Sequence, residues 1–183
     1  MTALYIILGI ILLIALVVIE LFNKLSKQKV VIGEASADIE TILKQRYDMI
    51  PNLVKIVKGY AKHEKETFSS VTELRTKAMS TGSFEEKAKL EDQLSKGLSK
   101  IFALAENYPE LKANTNFLEL QTSLKELEDT LQKSRRFYNG TVRDFNTMIV
   151  VFPSNIIANI LGFKQEPFFE ASEEEKKNVE VKF

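Results

Sequence analysis

The sequence holds no cysteine, one histidine, seven glycines and four prolines in 183 residues. The missing thiols exclude disulfides, thiolate metal sites and a cysteine nucleophile together, and leave the redox compartment open. So few glycines and prolines argue against many short strands joined by tight turns and favour long helices. An excess of charge of either sign is lacking too. With 25 Lys and Arg against 25 Asp and Glu, net charge gives no argument for a nucleic-acid partner.

What is present is a dense apolar block at the start. Residues 3–19 are all apolar, counting Tyr5 and Gly9, and Leu21 and Phe22 follow the single interruption at Glu20. A helix of about 20 residues rises about 30 Å, the thickness of a bilayer's hydrocarbon core, so residues 1–23 are expected to be a transmembrane anchor. A cleaved signal peptide would carry a basic leading segment and small residues before the cut, and this run shows neither. A buried core helix of this length would show a polar face. Lys24, Lys27 and Lys29 follow the run as membrane-interface residues. Basic flanks favour the inner side, which places the remaining chain in the cytoplasm at the cell membrane. The outer face is the alternative, because the rule weakens ahead of a long domain.

Beyond the anchor, apolar residues recur in steps of three and four. The series are Leu90, Leu94, Leu98, Ile101, Ala105; Phe117, Leu120, Leu124, Leu127, Leu131, then Tyr138, Phe145 and Met148; and Ile50, Leu53, Val57, Tyr60, then Phe68, Val71, Leu74, Ala78. They predict long helices over residues 24–80, 83–107 and 112–150. Ser83 with Glu86 reads as a capping box. Pro51 is expected to kink a helix or open a new one. Residues 154–161 form a short apolar helix closed by Gly162. Asn139-Gly140 is locally a turn signal inside a helical pattern. The fold class is all-α: a transmembrane helix, an elongated antiparallel bundle over residues 24–163, and a charged tail over 164–183 that packs loosely.

Chemistry is hard to find. His63 has Thr67 where a zinc helix needs a second His, so it reads as a solvated helix residue. Ser26 and Lys29 fit a Ser-x-x-Lys spacing without its companion motifs, and no glycine loop cradles a phosphate. Lys55, Lys58, Lys62 and Lys65 read as a solvated helix face, with an anionic-lipid surface as the alternative. Neither catalytic residues nor a cofactor, metal or small-molecule substrate is expected.

Two longer motifs carry a resemblance. Arg46-Tyr47-Asp48-Met49-Ile50-Pro51-Asn52-Leu53-Val54, and Ser134-Arg135-Arg136-Phe137-Tyr138-Asn139-Gly140-Thr141-Val142-Arg143-Asp144-Phe145-Asn146, resemble the two signatures of the bacterial LemA family. Phe152-Pro153-Ser154-Asn155 and Gly162-Phe163 resemble its ending. The resemblance implies an N-terminal membrane helix, a long antiparallel bundle and relatives linked to membrane compartments of magnetic bacteria. It implies no reaction or cofactor, and it implies that Asn139-Gly140 stays helical. The chain lacks the lipid-attachment cysteine of some relatives.

Core packing explains Tyr47, Asp48, Pro51, Asn52, Tyr138, Asn139 and Asn146 least well. Asp48 and Asn52 are expected to cap or bridge a break at Pro51, with Tyr138 and Asn139 bonding across; a ligand or partner site is the alternative. Ile156, Ile157, Ile160, Leu161 and Phe163 are a possible apolar contact that could equally cap the core or lie in the membrane interface. The expected function is a non-enzymatic scaffold or adaptor of the cell envelope, partnered by the bilayer, by copies of itself and by unknown proteins. The alternatives are a regulator of a membrane protease or transporter, and an enzyme using the polar residues around Asp48 and Asn139.

Overall fold

A computed structural model describes residues 1–169, so most of the charged tail lies outside the described residues. The described chain is helical: α1 (Thr2–Tyr60), α2 (Lys65–Ser80), α3 (Phe84–Ala105), the single turn α4 (Pro109–Lys112), α5 (Thr115–Val150) and α6 (Ser154–Ile160). By packing it divides into two units. One joins Met1–Ala37 to Arg136–Phe168, and the other is built on Asp38–Arg135. Helices α1 and α5 contribute to both.

The apolar run is the start of α1, and its large side chains are exposed from Leu4 to Ile19. It is long and apolar enough to cross a membrane, which fits an anchor. No helix break marks the expected boundary at residues 23 and 24. From there Leu25, Ile32, Ala35, Ile39, Leu43, Ile50, Leu53 and Val57 form a buried stripe in steps that sum to helical turns.

The unit built on residues 38–135 is a set of antiparallel neighbours. Arg75 of α2 reaches Tyr47 of α1 while Lys58 lies over Phe68, so α2 runs back along α1. Asp92 meets Arg135 and Phe102 meets Phe117, so α5 runs back along α3. Buried residues of α5 repeat every seven positions at Phe117, Leu124, Leu131, Tyr138 and Phe145. Asn114 starts that helix by accepting the Phe117 N–H at 3.0 Å.

Some local expectations change and others are narrowed. The single helix expected over residues 24–80 is two, separated by a turn at 61–64 that holds His63. The Lys55 to Lys65 series is therefore not one helix face. Helix α1 passes through Pro51 unbroken. The capping box is half made: the Glu86 N–H bonds Ser83 Oγ at 3.3 Å, but the Glu86 carboxylate takes the Thr81 hydroxyl instead. Asn139 and Gly140 are helical, as the family resemblance implied.

In the other unit, α6 ends at Gly162 with φ +73°. The Phe163 N–H bonds the Ala158 carbonyl at 2.9 Å and the Gly162 N–H bonds Asn159 at 3.3 Å, a paired closure that spares two end carbonyls. Phe163 then turns inward against Phe22 and Phe145, with ring centroids 6.3 and 6.2 Å away. It is thus committed to packing rather than exposed with its neighbours.

Two glycines test the helix packing in opposite directions. A Cβ at Gly140 would meet nothing closer than 4.0 Å, whereas one at Gly97 would stand 2.8 Å from a Val71 methyl where α2 crosses α3. Gly140→Ala should raise stability by about 0.5–1 kcal/mol through reduced backbone entropy. Gly97→Ala should lower it by about 1–3 kcal/mol by overpacking. Thermal melts of the two full-length variants would separate these signs.

Candidate functional site

The densest polar chemistry lies inside the unit of residues 38–135. Arg46 is 2% exposed and Glu91 0%. A buried guanidinium cannot shed its proton, so it must be paired where it stands. Arg46 Nη1 donates to Glu91 Oε2 at 3.0 Å, and Nη2 donates to Ser95 Oγ at 2.7 Å and lies 2.9 Å from Glu128 Oε2. Ser95 Oγ donates in turn to the same Glu128 oxygen at 3.1 Å. The Tyr47 hydroxyl donates to Glu91 Oε1 at 2.5 Å. Both Glu91 oxygens therefore accept from α1, and α1, α3 and α5 share one network.

Burial is the largest influence on Glu91 and pushes its carboxyl above the usual carboxylate range; Arg46 and the Tyr47 hydrogen bond act the other way. Burial, with Glu91 beside it, also holds the Tyr47 phenol protonated well beyond its ordinary range, so it stays a donor. A second cation is close by. Arg135 meets Asp92 at 3.3 Å, and its guanidinium lies 4.5 Å from the ring centre of Phe169.

Sequence reasoning missed Glu91, because Leu90 fits the apolar series equally well. The signal was the stripe Ala88, Leu94, Leu98, Ile101, whose missing member three residues before Leu94 is the acid. The structure buries Glu91 and leaves Leu90 only half-buried.

The signature residues do not gather into one cluster within either unit. Tyr47, Asp48, Pro51 and Asn52 belong to one unit and Tyr138, Asn139 and Asn146 to the other. Asp48 is exposed and pairs with Lys44 at 2.8 Å, and Asn52 is exposed. With no helix break at Pro51, there is nothing there to cap. Pro51 still leaves the Tyr47 carbonyl without its helical N–H. Arg75 Nε of α2 donates to that carbonyl at 2.7 Å and replaces the missing donor. In the other unit the Tyr138 hydroxyl donates to the Pro167 carbonyl at 2.9 Å. Asn146 both donates to and accepts from the Glu166 backbone at 2.9 Å, pairing with the segment after α6 as a neighbouring strand would. Lys29 reaches Glu166 at 3.3 Å. All three interface lysines, Lys24, Lys27 and Lys29, are exposed.

Chemically, the network positions helices. Glu91 is sealed from solvent. A cavity of about 310 Å³ borders Arg46, Ser95, Phe102, Leu124 and Glu128, but the guanidinium on its wall is already engaged by three acceptors. Among the described residues no group of three or more His, Asp or Glu side chains is placed to hold a metal.

Two experiments probe these pairings. Glu91→Ala should cost about 3–5 kcal/mol, since it strands part of the Arg46 charge, and Arg46→Met with Glu91→Leu should recover most of that loss. The native state holds the Glu91 proton to higher pH than the unfolded chain. Its contribution is full below the unfolded carboxylate's range and is lost as pH rises through the raised native value. Glu91→Gln should flatten that slope in denaturation followed upward from the usual carboxylate range. Separately, Arg75→Met should cost about 1–3 kcal/mol by orphaning the Tyr47 carbonyl, and clearly less in a Pro51→Ala background. Equal losses in both backgrounds would mean Arg75 does not stand in for the proline's missing donor.

The sequence model of the LemA family matches residues 35–183. Protein LemA of Metamycoplasma hominis is 30% identical over 164 residues, covering 87% of this chain and 73% of that protein. Magnetosome protein MamQ 2 of Paramagnetospirillum magneticum is 25% identical and Magnetosome protein MamQ of Magnetospirillum gryphiswaldense 23%. Each of these two matches covers 73% of this chain, which spans 59% and 58% of their respective lengths. None of these names describes a reaction. On the extent of the family match, and on a relative aligned over most of its length, the chain belongs to the LemA family.

Proposed function

We propose that this protein is a non-enzymatic, membrane-anchored adaptor whose helical domain faces the cytoplasm and holds copies of itself or other proteins at the bilayer. The observation that carries the reading is α1. The large apolar side chains of its first third are nearly all exposed, and the same unbroken helix contributes to both packed units. A membrane-spanning segment that runs into helical packing without a break suits a protein that fixes position more than one that turns over substrate. The buried polar residues support this, since they are spent on one another: Arg46 on Glu91 and Glu128, and Tyr47 on Glu91. Three basic residues follow the span closely, which favours the cytoplasmic side. Relatives named as magnetosome proteins fit an organising role.

Absence of cysteine makes the test direct. Thr2→Cys and His63→Cys, each alone, would be exposed to a membrane-impermeant maleimide in intact cells. Labelling at position 2 only is expected; labelling at position 63 only would reverse the orientation. In mild detergent with added lipid, light scattering should report more than one chain per particle, and a strictly monomeric mass would remove the self-association part.

A further inference from the structure

Residues 145–163 contain no charged side chain, the longest such stretch outside the anchor, and they are bounded by Asp144 and Lys164. They form the end of α5, the turn at 151–153 and α6. Their apolar side chains are not all hidden. Phe152 is 78% and Ile160 74% exposed, and Val150, Val151, Ile156 and Leu161 are exposed as well. Phe152, Ile156 and Ile160 recur every four residues, whereas Ser154 and Ala158 face inward and are buried.

This patch belongs to the same packed unit as the anchor, so its level along α1 can be read. Gln28 donates to the Thr141 carbonyl at 3.3 Å. Six residues earlier on α1, Phe22 meets Phe163, which meets Phe145, four residues later on α5. The two helices therefore run antiparallel here. At about 1.5 Å per residue, Val150 lies about 13 Å beyond Thr141, level with residues 17–19 of α1. Those residues close the apolar run, and Glu20 beside them marks where it meets polar surroundings. Lys24, Lys27 and Lys164 lie further toward the packed unit, at headgroup distance. The backbone of the tip is partly closed on itself. Asn155 N–H bonds Val151 O at 2.9 Å, Ile156 N–H bonds Pro153 O at 3.2 Å, and the closure at Gly162 satisfies the far end.

We propose that the tip formed by the end of α5 and by α6 is a second membrane contact, seated in the interface of the leaflet where α1 emerges. It rests on the reading of α1 as a membrane span. The occupant of the patch is lipid because the patch continues the anchor's own apolar surface at the anchor's own level. Its depth is that of an interfacial helix, about 5–10 Å into the headgroup and acyl boundary. The chain then grips the bilayer at two points, and its packed unit has a fixed tilt and rotation about the anchor.

The protein has no tryptophan, so an introduced one reports alone. Full-length Phe152→Trp and Ile160→Trp would be reconstituted in phosphatidylcholine and phosphatidylglycerol vesicles, with and without brominated acyl chains. Leu12→Trp in the anchor and Leu118→Trp on the exposed face of α5 serve as references; all four positions are exposed, so the fold should tolerate them. Emission at 152 and 160 should shift to the blue and lose intensity in brominated vesicles, as at 12, while 118 keeps red, unquenched emission. Quenching at 12 with 152 and 160 behaving like 118 would overturn the contact and leave the anchor standing. No quenching at 12 would overturn the anchor and this proposal together. Blue-shifted but unquenched emission at 152 and 160 would overturn it in favour of a second copy covering the tip.

Discussion

A guanidinium placed where water cannot reach it constrains the larger unit more than any other group. Arg46 needs acceptors at fixed angles, and it finds them on two other helices, at Glu91 and Ser95 of α3 and at Glu128 of α5. Apolar stripes alone would allow α3 to slide by a turn along α1 with little change in buried area. Such a slide would strand the Arg46 charge, whose desolvation costs several kcal/mol. The network therefore sets the register of helices whose hydrophobic packing is permissive. Tyr47 adds a second fixed point on the same carboxylate, which is why an otherwise unremarkable aromatic position carries a phenol.

How much of this could be read from the sequence depended on whether the deciding physics was local. The long apolar helix at the start was legible because length and apolarity alone mark such a segment. At Asn139 and Gly140 the local turn signal and the apolar periodicity on both sides pulled against each other, and only the family resemblance pointed to the continuous helix that α5 forms. The turn at 61–64 was not, since the apolar series resumes at Phe68 with no proline to mark the gap; Gly59 near the end of α1 was the available hint. Glu91 was hidden by Leu90, because three-and-four spacing accepts either position and only tertiary pairing chooses between them.

The signature residues show why a motif can be recognised before its reason is. Asn146 and Tyr138 hold down the segment after α6 through its backbone, so their partners are carbonyl and amide groups that leave no trace in side-chain identity. Asp48 and Asn52, by contrast, face solvent. Their neighbours within the same motif are satisfied inward, which leaves these two as the exposed polar members beside Pro51.

Pro51 carries a consequence for how α1 comes into being. A helix that meets a proline loses one hydrogen bond and gains a clash in the turn before it, and short helical segments are marginal by themselves. The segment after Pro51 thus has little reason to extend the helix on its own. Arg75 reaches the Tyr47 carbonyl only after α2 has folded back. The uninterrupted course of α1 through Pro51 is then a property of the assembled pair, and the last turns of α1 should gain and lose their order together with α2 rather than with the part of the helix that precedes them.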